Sequence, residues 1–231
     1  MLKISGEALA GSKGLGLDAE IVKRLAAEIA GVHKAGVSLG LVIGGGNIFR
    51  GITSPELGIS RTTGDMVGMC ATIINSLVFR DALMAAGTPA VVMNAVSFDK
   101  ACELFTADAA RAHCDAGRVV IAAGGTGNPF FSTDTAAALR ALEIGAQVLL
   151  KGTKVDGIYN DDPVKNLAAV KLTRLTHQEA LEKRLKFMDA TALSLCQDSN
   201  LPIALFKLLD PEALMQCVCG QPVGSLVKTG G

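Results

Sequence analysis

The chain has 231 residues, 49% of them hydrophobic, which is enough to bury a core within the size range of one α/β domain. Its 22 Lys and Arg balance its 22 Asp and Glu, so no global basic surface for nucleic acid is expected and a small, locally recognised anionic ligand fits better. No basic stretch followed by an apolar one opens the chain, and charged residues or glycines interrupt every apolar run. The expectation is therefore a soluble, cytoplasmic protein with no membrane and no nucleic-acid partner.

In chain order, short apolar runs alternate with longer segments of helical period, the pattern of parallel strands joined by crossover helices. Residues 2–5 read as the first strand. Asp18 caps a helix whose Ile21, Leu25, Ile29 and Val32 share one face, and Gly36 ends it ahead of a strand over 37–43. That strand runs into Gly44, Gly45 and Gly46. A helix over 67–86 closes at Gly87, followed by a strand over 88–93, a helix over 107–116 and a strand over 119–123. A glycine-rich turn then leads to a helix over 133–144 and a strand over 147–150. The last third reads as a hairpin or lid over 156–170, helices over 178–184 and 190–198, and a strand over 203–206. With no repeat or linker to divide it, the chain is expected to be one domain over residues 1–231, with an open, mainly parallel sheet between helical layers. In such sheets the ligand crevice lies beyond the carboxyl ends of the strands, which makes the loops after Ser5, Ile43, Ala123 and Leu150 the informative ones.

The six cysteines form no C-x-x-C pair and occupy apolar or helical contexts that suit buried, reduced thiols. His33, His113 and His177 are too dispersed to complete a metal site with Cys217 and Cys219, and each is expected on an exposed helix surface.

Gly44-Gly45-Gly46-Asn47 after a buried strand lets backbone N–H groups approach an anion, although a plain tight turn has the same composition. Neither G-x-x-x-x-G-K-[ST] nor G-x-G-x-x-G is present, so any phosphate site is of another type. Lys3 is expected at the end of the first strand, ahead of the turn Ser5-Gly6. Lys151 ends another strand, and Arg50 follows the triple glycine. Taken singly each is an ordinary edge cation. Together they bring three positive charges toward one crevice, which phosphoryl transfer requires because charge on the transferred group must be neutralised. Asp134 opens a predicted helix within Ser132-Thr133-Asp134-Thr135, where a favourable interaction with the helix dipole explains it as well as catalysis does. Asp65 is uninformative alone, and Asp189 suits a helix cap. Thr153, Tyr159, Asp162 and the Asp156-Gly157 turn fit a surface hairpin, or an aromatic face and carboxylate against an adenosine.

The blocks KISGEA (3–8), VIGGGNIFRG (42–51), Gly64-Asp65, TGNPFFST (126–133), the run from Leu150 to Tyr159 with Asp162-Pro163, and Met188-Asp189 together resemble the amino-acid-kinase superfamily. Within it, residues 125–136 (GTGNPFFSTDTA) are most similar to bacterial uridylate kinases. The resemblance implies a three-layer α/β/α fold without a Walker loop, binding ATP with Mg²⁺ on one side of the crevice and UMP on the other. It implies that Lys3, Ile4, Ser5, Gly6, Gly46 and Arg50 hold phosphates, and that Thr153, Tyr159 and Asp162 hold the adenosine part. Around UMP it places Gly45, Asp65, Thr126, Gly127, Asn128, Pro129, Phe130, Phe131, Ser132 and Thr133. Lys3, Arg50, Asp134, Lys151 and Asp189 form the catalytic set, with the two aspartates organising the cations and Mg²⁺. The implied reaction is direct in-line transfer without a phosphoenzyme, with UTP as inhibitor and a hexameric assembly; the apolar helix over 67–83 suits a dimer contact in it and suits ordinary core equally. Two departures stand out. Gln147 replaces a usually acidic residue, and residues 84–91 are apolar where some members carry cations and histidine, so activation by GTP is not carried over. The shared glycine and lysine blocks also suit a kinase acting on acetylglutamate, carbamate or a small phosphorylated alcohol, or a nucleotide-binding relative that has lost the reaction.

Overall fold

The computed structural model describes residues 1–49 and 58–230. The chain opens with β1 (Leu2–Ile4), α1 (Gly6–Leu9), α2 (Ala19–Lys34), β2 (Gly40–Ile43), α3 (Arg61–Ala85), β3 (Ala90–Asn94) and β4 (Glu103–Leu104). It continues through α4 (Ala107–Asp115), β5 (Val119–Ala123), α5 (Thr133–Glu143), β6 (Leu149–Thr153) and the small hairpin β7 (Ile158–Tyr159) with β8 (Lys171–Leu172). Then come β9 (Arg174–Thr176), α6 (His177–Glu182), α7 (Ala190–Asp198), β10 (Ile203–Lys207), α8 (Ala213–Val218) and β11 (Ser225–Lys228). The main sheet runs β4, β3, β5, β2, β1, β6, β10, β11, β9. It is parallel except where β11 meets β10 antiparallel. The mainly parallel, three-layer expectation holds.

Alternation along the strands sorts the two layers. Leu2, Ile4, Leu41, Ile43, Val119 and Ile121 face α2, α3 and α8, where Leu25, Ile29, Phe79 and Leu214 complete one core. Val42, Ala122, Leu149 and Leu205 face the opposite way onto Ala137, Ala141, Leu193 and Cys196 of α5 and α7. Lys3 alternates with Leu2 and Ile4, and Lys151 lies two residues from Leu149, so both lysines belong to the α5 face. They are also direct cross-strand partners, because the β1–β6 register pairs Lys3 with Lys151. After β1 the chain builds outward through β2, and it returns on the other side of β1 with β6. The strand order therefore reverses between the two parallel strands that carry the lysines, the position where open α/β sheets form their crevice.

Several local expectations change. Lys3 and Lys151 lie inside their strands rather than at the ends, since hydrogen bonding continues past both residues. Helix α3 starts at Arg61, six residues earlier than its apolar pattern, because Ser60 caps it by accepting from the Thr63 amide. By length and composition α3 is able to cross a membrane, contrary to the reading of interrupted apolar runs. Its buried Phe79 and Leu83 instead make it one layer of the sandwich. Cys70 and Cys219 are exposed, not buried. Gln147 is an exposed bend residue ahead of β6.

His177 is also not on the surface. It is 1% exposed, with Nε2 3.0 Å from the Leu201 carbonyl at the start of the β10 segment. Burial pushes its pKa below the ordinary 6.5, partly opposed by that hydrogen bond. A depressed folded pKa gives stability that is complete above the unfolded value and is lost as pH falls through the folded one. The melting temperature is expected to fall from about pH 6.5 downward. His177→Gln flattens that slope, and an equal slope in scanning calorimetry of both proteins contradicts the assignment.

Candidate active site

The site is built where β1, β6 and the first turn of α5 meet. Ser132 caps α5 by accepting from the amides of Asp134 and Thr135, which fixes the helix start and directs Asp134 at the sheet. Asp134 is then held between the two lysines, with Lys3 Nζ at 2.9 Å and Lys151 Nζ at 2.5 Å. Lys151 also donates to the Phe187 carbonyl. All three side chains are nearly buried.

The electrostatics show which charge is in excess. Burial opposes ionisation of Asp134, yet Lys3 and Lys151 outweigh it and hold the carboxyl below its usual range. Burial pushes the Lys151 ammonium down, Asp134 opposes this, and Lys3 adds to it, with a net lowering. Both shifts point to a neighbourhood where two buried cations share one carboxylate. An anion entering there gains more than it does at a solvated lysine. The N-terminal end of α5 adds its dipole.

Asp189 does not reach either lysine by hydrogen bond. It accepts from the hydroxyls of Ser132 and Thr135 and from the Ala192 amide. It thereby ties the start of α5 to the start of α7, while also serving as the helix cap read from sequence.

The glycine turns pack against each other behind this triad. Gly44 N donates to the Ile4 carbonyl, and a side chain on Gly6 would lie 2.3 Å from the Gly44 oxygen. Asn75 of α3 donates to the same oxygen and exchanges amide hydrogen bonds with Asn47. Gly46 and Ser5 border this turn pair. Arg50 lies outside the described residues.

Two cavities flank the triad. The first, about 140 Å³, is lined by Gly45, Gly46, Asp65, Gly125, Thr126, Asn128, Phe131, Ser132 and Thr133, among others. Asp65 accepts from the Phe130 amide at 2.7 Å and from Arg61 Nε at 2.9 Å, so α3 grips the loop between β5 and α5. Phe130 has a positive φ of 72°, which that hydrogen bond helps to maintain. Gly127, Pro129 and Phe130 lie on the same loop but do not line the cavity. The second cavity, about 560 Å³, includes Tyr159, Asp162, Lys165 and Phe187. Thr153 does not line it and instead bonds the carbonyls of Val155 and Phe206. The Tyr159 hydroxyl donates to Asp156, which leaves the ring in the cavity wall. Since Asp134 follows Thr133 of the first cavity and Lys151 touches Phe187 of the second, the triad lies between them.

Sequence reasoning missed Thr72, Asn75, Arg61 and Arg140. A signal existed for Thr72 and Asn75, two polar residues within the apolar stretch of α3, since buried polar groups need defined partners.

A mainly parallel sheet with paired lysines at its reversal point, an acidic helix start and opposed glycine turns defines a phosphate-handling α/β protein without a Walker loop. The chain belongs to the amino acid kinase family, whose model matches residues 1–207. Within that family it is similar to the uridylate kinase of Methylococcus capsulatus, at 53% identity over 100% of this chain and 96% of that protein. Among solved structures it is similar to UMP kinase from Bacillus anthracis, with a TM-score of 0.96 and 34% identity, covering 100% of this chain and 95% of that one. The UMP kinase from Ureaplasma parvum gives a TM-score of 0.93 and 35% identity over 99% of this chain and 97% of that one.

Proposed function

We propose that this chain transfers the γ-phosphoryl group of ATP directly to UMP, giving ADP and UDP. The observation that carries the reading is the Lys3–Asp134–Lys151 triad between two cavities, one on the acceptor side and one beside the β7–β8 hairpin. A UMP phosphate oxygen is already ionised near neutral pH, so no strong general base is required. It attacks the γ-phosphorus, the bond to the β–γ bridging oxygen breaks, and ADP leaves with that electron pair. Lys3 and Lys151 neutralise the charge on the transferred group, and Asp134 keeps both ammoniums aimed.

ATP takes the larger cavity, with Tyr159 and Asp162 toward its adenosine, and UMP takes the smaller one, with Asp65 toward the ribose. Among the described residues no three metal-ligating side chains come together. Mg²⁺ therefore enters as the ion accompanying the nucleotide phosphates, a mode that suits its reluctance to shed water. UTP inhibits by occupying the acceptor cavity. The exposed Met66, Val67, Ile74 and Val78 of α3 support a subunit contact, and the chain works as one catalytic domain in a cytoplasmic hexamer. Sedimentation at micromolar concentration reads that assembly, and a monomer there removes it.

ADP release measured across UMP, CMP, dUMP and acetylglutamate tests the reaction. UMP is expected to be turned over fastest, and equal or greater turnover of a non-uridine acceptor overturns the proposal. A second measurement addresses the acceptor wall. For Asp65→Asn the KM for UMP is expected to rise about tenfold, the scale of one charge-assisted hydrogen bond, with the KM for ATP within about twofold. An unchanged KM for UMP contradicts the role of Asp65.

A further inference from the structure

The acceptor-side loop after β5 is held from behind by a buried cation that the reaction does not itself use. Arg140 lies on α5, on the same helix as Asp134, and its side chain is 7% exposed. Its Nη1 is 2.6 Å from Glu143, its guanidinium lies 4.2 Å from the centre of the Phe105 ring, and its Nη2 donates to the Gly125 carbonyl at 3.2 Å. Nε is buried with no partner among the described residues.

The backbone groups of this turn can be accounted for one by one. Gly124 N donates to Thr72 Oγ1 at 2.9 Å, and Gly124 O accepts from Gly127 N. Gly124 and Gly125 both have positive φ, 73° and 60°, so the turn depends on glycine at these positions. Gly125 O is taken by Arg140. The Gly125 and Thr126 N–H groups have no protein partner among the described residues, and Gly125 and Thr126 line the acceptor cavity whereas Arg140 does not. In a planar trans peptide the C=O and the following N–H point to opposite sides. Fixing the Gly125 carbonyl on the α5 side therefore turns the Thr126 N–H toward the cavity.

We propose that Arg140 is a positioning residue for the acceptor. By pinning and polarising the Gly125–Thr126 peptide from the protein side, it presents the Thr126 N–H as a hydrogen-bond donor to an acceptor oxygen of UMP. A charge-assisted bond to the carbonyl also strengthens the donor at the far end of the same peptide, because chained hydrogen bonds polarise one another. A purely structural salt bridge to Glu143 makes no such demand on the loop. This inference rests on the reading of UMP as acceptor.

The test compares the wild-type enzyme with Arg140→Met/Glu143→Met, which removes the buried pair as a unit and avoids stranding Glu143. The KM for UMP is expected to rise about tenfold or more, with kcat reduced by less than about threefold and the KM for ATP within about twofold. A double variant that folds and keeps the wild-type KM for UMP overturns the proposal. If the double variant does not fold, the wild-type protein decides. Its Thr126 amide resonance is expected to shift, and its exchange with solvent to slow, on addition of UMP without ATP. An amide that does not respond while neighbouring loop resonances do overturns the proposal equally. Wild-type enzyme that fails to turn over UMP sinks the acceptor reading and this inference together, whereas active wild-type enzyme with an indifferent variant sinks this inference alone.

Discussion

Asp134→Asn is expected to lower kcat for UMP phosphorylation by about 10²- to 10³-fold, the scale seen when one preorganised electrostatic element is removed from a catalytic site. The reason is geometric as much as electrostatic. One carboxylate stands 2.9 Å from Lys3 and 2.5 Å from Lys151, and it is the group that keeps two buried ammoniums together. An amide leaves them repelling each other, so they separate and no longer converge on one transferred group. The same change is expected to reduce stability by about 3 kcal/mol, because breaking a buried ion pair strands its partners. The pH dependence follows from the depressed pKa of Asp134. Its contribution is present above the ordinary carboxylate value of 3.8 and is lost as pH falls through the lower folded value, so the variant loses that part of the acid transition. Pre-steady-state and steady-state turnover, with a melting curve as companion, measure both effects. A folded Asp134→Asn enzyme with unchanged kcat removes Asp134 from the catalytic set.

Gly6→Ala is expected to have the second largest effect. The added Cβ would lie 2.3 Å from the Gly44 oxygen and 2.5 Å from Asn47 Oδ1. Neither atom is free to withdraw. The Gly44 oxygen accepts from Asn75, Gly44 N is bonded to Ile4, and Asn47 is locked to Asn75 and Gly16. Relief requires the two glycine turns to separate by about an ångström, and a displacement of that size in a positioned site costs roughly 10²-fold. The expected result is a fall of about that factor in kcat/KM for ATP, with about 1–3 kcal/mol of lost stability from overpacking. Gly31→Ala serves as the comparison, since nothing lies within 4 Å of its added Cβ on α2. A Gly6→Ala enzyme that matches it in ATP kinetics contradicts the packing of the two turns as a phosphate-binding device.

Much of the fold was legible in the sequence because the signals were local. The strand over 119–123 and the helix over 190–198 were read with their observed bounds, and the longer strands and helices through residue 150 were read in their observed order. The shorter elements were not. β4, β9, β11 and α8 have two to six residues, too few to show a period, and they exist because a neighbouring strand or layer holds them. The candidate site was legible in part as a constellation, with Lys3, Lys151 and Arg50 read as converging on one crevice and Asp134 placed among them by the resemblance. The holding of both lysines on one carboxylate was not legible. Arg140 gave no readable functional sign, since a single arginine in a helix is ordinary, and the polar Asn75 within an apolar helix was a signal that went unread.

By itself the sequence determined the α/β alternation, the glycine turns after strands and the chemistry available at each loop, because strand period, turn residues and helix caps depend on near neighbours. Only the tertiary structure decided that Lys3 and Lys151 are register partners across β1 and β6, residues 148 positions apart meeting on the face that receives α5. It also decided that His177 is buried, that Asp189 braces the helix start rather than the lysines, and that Arg140 stands behind the acceptor loop. The physical reason is common to all four. Contact across a sheet or between layers depends on strand order and on which face a side chain takes, and neither is a property of the local chain.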